Sequence, residues 1–411
     1  MSKKRIVITG QGVLSPVGNN ISTFWDNLIQ SKSGIATITQ CDTENLKVKI
    51  AGEVKNFNPD DVLNKKDQKK VDRFILLGLG STDQAIKNSQ LNLSDEKVLQ
   101  ETGIIFGVGL GGLPSIEKQA ESYFSGKRIS PFFIPSIISN LLPGQISLKY
   151  PVKGPQFTTA SACASGAHAI ITAANYIQQG ICNRVITGGT ESTICHLALE
   201  GFASMKALST NNENPEQASC PWDESRDGFV LSEGSASLII EDLDTAIKRN
   251  APIYAELIGW GMSGDSYHIT SPHPTGEGAA LAMKLALNKA ELNHDKIDYI
   301  NAHGTSTPVG DEVETQAIKN VFKEHAYKLM VSSTKGAMGH SLGAAGAIES
   351  LVCIKSLEEQ IAPPTLNLKK PSKNCDLEYI PNQGRKLKID YCLNNSFGFG
   401  GTNASLIFKK Y

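Results

Sequence analysis

Short apolar runs along this chain end in turns rich in glycine, serine and threonine, and between them apolar residues return at steps of three and four. The first run, Ile6-Val7-Ile8-Thr9-Gly10, suits a buried strand entering a turn. Similar runs predict strands at residues 104–106, 156–159, 185–187, 236–240, 297–302, 329–332 and 404–408, with another starting at 255–258. Helical patterns cover residues 24–30, 65–88, 278–290 and 314–322. Two further helices are marked by one clean face each: Cys163, Ala167, Ile170, Ala174 and Ile177, and later Ala344, Ala347, Leu351 and Ile354. Strand and helix alternate throughout, which predicts an α/β fold of mostly parallel sheets covered by helices. One long irregular stretch, residues 208–227, is rich in Asn, Pro, Ser and charge; a loop of that length inside a compact domain reads as a functional or contact element.

Composition narrows the class without naming a function. The chain has 411 residues, 40% hydrophobic and 20% charged, enough for two ordinary domains or one large α/β architecture that folds without covalent staples. A net charge of −1 gives no global attraction to nucleic acid or to an anionic membrane, so a charged partner must be met by a local patch. The 8 cysteines show no C-x-x-C pair and no spacing that marks zinc or a disulfide framework, which favours a reducing cytoplasm. Met1-Ser2-Lys3-Lys4-Arg5 is basic, but the apolar run after it is too short for a signal peptide, and no stretch reaches the ~18 apolar residues of a spanning helix. The reading is a soluble, unexported protein.

The chemistry centres on Phe157-Thr158-Thr159-Ala160-Ser161-Ala162-Cys163-Ala164-Ser165-Gly166. Cys163 stands where a strand gives way to a helix, and free N–H groups with the helix dipole favour an anion there. That position is expected to lower a thiol from roughly 8.5 toward the reactive thiolate. An unpaired Cys among small residues is otherwise a small core hydrophobe, so partners must support the assignment. Later strands end in comparable turns. His303 follows residues 297–302 in Asn301-Ala302-His303-Gly304-Thr305-Ser306-Thr307; Lys335 and His340 follow residues 329–332 in Ser333-Thr334-Lys335-Gly336-Ala337-Met338-Gly339-His340; and Phe397-Gly398-Phe399-Gly400-Gly401-Thr402-Asn403 closes the set. Reactive groups gather at the carboxyl ends of strands in open α/β sheets. A thiolate can form a thioester, and nearby imidazoles can donate to an oxygen as charge builds on it.

These motifs, in this order and over essentially the whole chain, resemble the β-ketoacyl-acyl-carrier-protein synthases, the type II elongating condensing enzymes of fatty acid synthesis within the thiolase-like superfamily. The resemblance implies a duplicated five-layer α-β-α-β-α fold, although no residue-level repeat is visible, and a homodimer. It divides the chain into an N-terminal half, 1–250, carrying the nucleophile and a C-terminal half, 251–411, carrying the histidines and lysine. It implies that Cys163 is acylated, with the N–H groups of Cys163 and Phe399 as oxyanion hole, and that His303 and His340 stabilise the enolate formed when malonyl thioester loses CO₂. Lys335, paired with Glu349, supports them. Thr305 and Thr307 contact the pantetheine arm, which belongs to acyl carrier protein, so that no resident cofactor and no metal is expected. Val108, Phe202, Phe397, Gly400 and Gly401 line the substrate path, and Asp265 matches a gating loop in which His268 reads as a loop residue. Two departures from the family pattern are noted: Met338 beside His340, where a small hydroxyl residue is usual, and Ser161, where Thr is frequent.

Lys65, Lys66, Lys69, Lys70 and Arg73 fall at helical spacing, and with Lys127, Arg128 and Lys206 they form the basic groups that the resemblance places near an acidic carrier protein. Gly107-Val108-Gly109-Leu110-Gly111-Gly112 satisfies the G-x-G-x-x-G of dinucleotide folds, but no acidic residue follows at the required distance in residues 126–135. A degradative thiolase needs a second cysteine as base, and Cys392 lies outside the glycine-rich turn where that residue belongs. A non-catalytic chain-length factor lacks the nucleophile that is present here, and a modular polyketide ketosynthase continues into further domains.

Overall fold

The computed structural model of the chain describes residues 4–411; Met1, Ser2 and Lys3 of the basic amino terminus lie outside the described residues. Ten strands form one continuous sheet: β1 Ile6–Leu14, β2 Thr102–Gly107, β3 Gln156–Thr159, β4 Arg184–Glu191, β5 Gly234–Asp242, β6 Ala255–Gly264, β7 Tyr299–Asn301, β8 Met330–Ser332, β9 Tyr391–Gly398 and β10 Thr402–Lys409. Its spatial order is β8-β7-β9-β10-β6-β1-β5-β4-β2-β3. Cut between β1 and β6, both halves have the same arrangement: first strand beside fifth, fifth beside fourth, then second and third. The pairings repeat as well, antiparallel, antiparallel, parallel, parallel. The duplication therefore lives in strand topology while the residue letters have diverged. The sheet is mixed, which corrects the mostly parallel expectation: β5 and β10 each run opposite to both neighbours.

Five helices fix the layers. α1 (Arg73–Ser89) packs on β1 and β5, and α3 (Glu277–Ala290) packs on β6 and β10, at equivalent outer positions; α4 (Pro308–Phe322) packs beside α3. α2 (Ser165–Gln178) and α5 (Ala345–Glu359) follow the third strand of each half and pack on each other while touching strands of both halves. They are the middle layer. Burial on nearly every side follows: Ile348, Leu351, Ile354 and Leu357 of α5 are inaccessible to solvent, each worth about 1.5–3 kcal/mol. Close approach of the two helices depends on two glycines. A Cβ on Gly166 would lie 3.0 Å from Ala347 N, and one on Gly346 would lie 2.8 Å from Ala167 N. The first turns of α2 and α5 are thus side by side.

The predicted helix over 65–88 is two pieces, Lys65–Gln68 and α1. The break is local: the Asp72 carboxylate accepts from the Phe74 N–H and caps α1. Arg73 leaves the basic surface with it, since its guanidinium binds the buried carboxylate of Glu233 at 2.8 Å. All eight cysteines are free thiols. No helix among the described residues is long and apolar enough to cross a membrane.

Candidate active site

Seven strand ends converge on one cavity of about 630 Å³. From the first half come the ends of β2, β3 and β4 with the turns that follow; from the second, those of β6, β7, β8 and β9. Cys163 sits in the turn between β3 and α2, where Ala162 takes a left-handed φ of 49° that swings the next residue inward. His340 lies between β8 and α5, the equivalent place in the other half. Its Nε2 is 3.0 Å from Cys163 Sγ. One ligand-capable atom from each of Cys163, His303 and His340 lies within 4.8 Å of the other two, and the two imidazoles meet edge to face at 5.3 Å. The backbone N–H groups of Phe399 and of Cys163 itself both face the sulfur.

The thiol is not a resting thiolate. Burial pushes Cys163 up to about 12, and the opposing pull of the Lys335 charge and of the two N–H groups is smaller. This overturns the expectation drawn from the helix mouth: loss of water outweighs the local dipole. Burial, then the Lys335 cation, holds both histidines well below their ordinary range, so the rings are neutral near pH 7. Lys335 is itself buried. Its ammonium donates to the His303 carbonyl at 2.6 Å and to Glu349. Burial raises the Glu349 carboxyl and the Lys335 charge opposes that rise.

Three soft donors this close could hold a metal ion. Histidine ligands, however, almost always donate from the second ring nitrogen to a fixed partner. Here Nδ1 of His303 and of His340 finds none among the described residues, and the Lys335 cation adjoins both rings. The donor set suits an oxygen anion better than a cation.

Most of the other sequence-predicted residues are brought to this cavity. Thr305 and Thr307 line it with hydroxyls 3.1 Å apart, and Phe202, Phe397 and Gly401 form parts of its wall. Asp265 lines it too, and ties three segments together by accepting from Asn403 Nδ2 at 2.7 Å and the His273 N–H at 3.2 Å and by donating its N–H to the Gly401 carbonyl at 2.9 Å. Two are not brought there. Val108 is buried in the core with Phe106, Leu142 and Ile146, and Gly109 and Leu110 form the wall in its place. Gly400 is exposed outside the cavity, where its N–H meets the Ile269 carbonyl at 2.6 Å. Of the basic groups, Lys206 stands exposed on the cavity rim, and Lys66, Lys69, Lys127 and Arg128 are exposed. Lys70 is engaged by Asp67 at 2.5 Å and lies over the Phe132 ring. Met338 is buried in the main core and Ser161 bonds His168 Nδ1 at 2.6 Å, so neither departure reaches the cavity wall. His268 lies on an exposed loop, capping the N–H groups of Thr270 and Ser271.

Several supporting residues gave no signal in the sequence. Glu314 accepts from the N–H groups of His303 and Gly304, and Asp311 accepts from Ser306 and Trp222. The long 208–227 loop braces the same turns: Ser219 Oγ donates to the Lys335 carbonyl and Cys220 N–H to Ser306 Oγ. Glu191 is the least expected. It closes β4 inside the cavity wall and fills the G-x-G turn, accepting the N–H groups of Gly109, Leu110 and Gly111. The chain's own carboxylate occupies the place a pyrophosphate would need, which disposes of the dinucleotide reading. Cys392 lies fully buried within β9, away from the cavity.

Comparison with known proteins agrees with this geometry. Residues 3–246 match the family described as Beta-ketoacyl synthase, N-terminal domain, and residues 254–369 match Beta-ketoacyl synthase, C-terminal domain. The 3-oxoacyl-[acyl-carrier-protein] synthase 2 of Coxiella burnetii is 47% identical, covering 100% of this chain and 99% of that protein. Among solved structures, a beta-ketoacyl synthase from Burkholderia phymatum superposes with a TM-score of 0.92 at 31% identity, over 99% of this chain and 100% of that one. A ketosynthase solved with its type II polyketide acyl-carrier protein and a bound hexaketide superposes at 0.87 with 29% identity, over 100% of both chains. With matches to both family models over most of its length, and with Cys163 beside two neutral imidazoles and paired N–H groups on a duplicated thiolase-like fold, the chain belongs to the β-ketoacyl synthase family.

Proposed function

We propose that this protein elongates acyl chains in fatty acid synthesis, condensing malonyl-acyl carrier protein with an acyl group held on Cys163 to give 3-oxoacyl-acyl carrier protein and CO₂. The observation that carries this is the meeting of Cys163 Sγ with His340 Nε2 at 3.0 Å beside His303, with the Phe399 and Cys163 N–H groups on the same sulfur.

The steps follow from the groups present. Cys163 attacks the carbonyl of an acyl thioester, its S–H proton passing to the departing pantetheine sulfur, and a new thioester forms on the enzyme. Malonyl thioester then loses its terminal carboxylate as CO₂. The electrons of the broken C–C bond flow into an enolate, whose oxygen is met by N–H donors from neutral His303 and His340; one such preplaced donor is worth about 2.7–4 kcal/mol. Lys335, held by Glu349, anchors the His303 backbone through its carbonyl, and burial together with the Lys335 charge keeps both rings neutral. The enolate carbon attacks the acyl carbonyl, the new oxyanion takes the N–H groups of Cys163 and Phe399, and collapse releases Cys163 as a thiolate that takes up one proton from solvent to restore the resting thiol. No resident cofactor is needed, because the pantetheine arm arrives with the carrier protein, along Thr305 and Thr307.

Acyl carrier protein is read as the partner, docking at Lys206 on the cavity rim, with the exposed Lys66, Lys69, Lys127 and Arg128 as further basic groups; Lys70 is a weaker member because Asp67 already engages it. The 1–250 half supplies the nucleophile and 251–411 the decarboxylation groups. A homodimer is favoured by the edge position of β3 and by exposed Phe124, Ile134 and Leu148 on neighbouring elements. Free thiols favour the cytoplasm. Mixing the protein with acyl- and malonyl-loaded carrier protein tests the assignment: 3-oxoacyl-carrier protein and CO₂ are expected in equal amounts, and absence of both refutes it.

A further inference from the structure

Glu191 is a buried carboxylate in the cavity wall that no step above uses. Both its oxygens are accepting: Gly109 N at 2.8 Å, Leu110 N at 3.1 Å, Gly111 N at 2.9 Å and Gly343 N at 3.2 Å. Three successive N–H groups turned inward make a ready concavity for an anion. The fourth donor comes from the other half of the molecule, three residues past His340. Glycine is required at both contacts. A Cβ on Gly109 would lie 2.5 Å from Glu191 Oε2, and one on Gly343 would lie 2.3 Å from the Gly109 nitrogen.

The carboxylate therefore joins the acyl-side wall to the loop that carries His340. Gly109 and Leu110 face the cavity on one side of the joint, and Leu342 faces it on the other. Glu191 also acts on the sulfur through space, since its charge adds to the rise of the Cys163 thiol. Four donors and no acceptor around the two oxygens favour the ionised form, against burial that raises the carboxyl to about 7.

We propose that Glu191 is a positioning residue for acyl transfer: by clamping Gly109–Gly111 to Gly343 it fixes the wall beside Cys163, so that an incoming thioester carbonyl lies in register with the Cys163 and Phe399 N–H groups. This rests on the reading that Cys163 is the acylated residue.

The test compares the unmodified protein with Glu191→Gln, which keeps the shape but places an NH₂ against backbone donors. Single-turnover acylation of Cys163 by acyl-carrier protein is expected to fall at least 10-fold, with KM for the carrier within twofold. Alkylation of Cys163 by iodoacetamide, a reagent too small to need the wall, should hold or rise. Should Glu191→Gln not fold, Gly109→Ala displaces the carboxylate by its new methyl group and is expected to give the same split. Acylation within twofold of the unmodified rate in the folded variant overturns the proposal. So does a parallel fall in alkylation, which would mean general damage around the nucleophile. If the unmodified protein forms no acyl-Cys163 at all, the proposed function fails instead.

Discussion

His340 presents Nε2 to Cys163 Sγ at 3.0 Å although the two residues stand 177 positions apart. Each occupies the turn after the third strand of its half, and Gly166 and Gly346 let the helices that follow approach until those turns touch. Duplication of one unit thus brings a thiol and an imidazole together across a pseudosymmetric seam. Two copies of one backbone position have taken different chemical roles.

The thiol itself gives the first prediction. Because burial pushes Cys163 up to about 12, its thiolate fraction should grow about tenfold per pH unit well past neutrality. Alkylation of Cys163 by iodoacetamide is expected to accelerate without levelling between pH 7 and pH 10. A plateau below pH 8 would reveal a thiolate already present at rest.

A second prediction concerns the imidazoles. Burial and Lys335 hold His303 and His340 well below their ordinary range, so kcat for condensation should stay flat from pH 8 down to 6.5. The sign for stability follows: unfolded histidines take up protons below about 6.5 that the folded ones refuse, so stability is lost as pH falls below that point. Lys335→Met removes one depressing charge and should move the acid limb of the kcat profile toward 6.5; an unmoved limb would detach Lys335 from the rings.

The buried Lys335–Glu349 pair gives a third. Removing one partner strands the other in a dry core, so Lys335→Ala should cost about 3–5 kcal/mol. Lys335→Met combined with Glu349→Leu should restore much of that stability in denaturant melts while leaving condensation impaired. Restored activity in the double variant would reduce the pair to packing alone.

How far the sequence carried can be seen residue by residue. Cys163, His303, Lys335 and His340 were legible because each breaks an apolar period at a strand end, where the chemistry of an α/β sheet collects. The duplication was not, since it survives in pairing order and hydrogen-bond direction, and these leave no trace in letters once side chains diverge. Glu191 looked like any charged residue after a strand; its role depends on N–H groups 80 positions away. The rise of the Cys163 thiol was missed for a related reason: a helix mouth is a local feature, whereas burial is set by the whole fold. Val108 lies one residue past the end of β2 and packs into the core, whereas Gly109 and Leu110, next along the chain, line the cavity; which of these neighbours faces inward depends on the turn's backbone and not on the letters.

Carrier docking supplies the fourth prediction. Lys206→Glu and the pair Lys127→Glu with Arg128→Glu should raise KM for acyl-carrier protein severalfold, with little change in kcat. The effect should shrink at high salt, where screening shortens to about 3 Å at 1 M. Lys70→Glu should do less, since Asp67 already engages that ammonium at 2.5 Å. Equal KM values for all variants would move the docking face elsewhere.

The central claim is that an acyl chain waits on one sulfur for a carbanion made beside it. Peptide mass analysis after exposure to acyl-carrier protein should find Cys163 heavier by one acyl group. That adduct should disappear when malonyl-carrier protein is added, with CO₂ released, and Cys163→Ala should show neither adduct nor product. An unmodified Cys163, an adduct that survives malonyl-carrier protein, or condensation by Cys163→Ala at the unmodified rate would contradict the account.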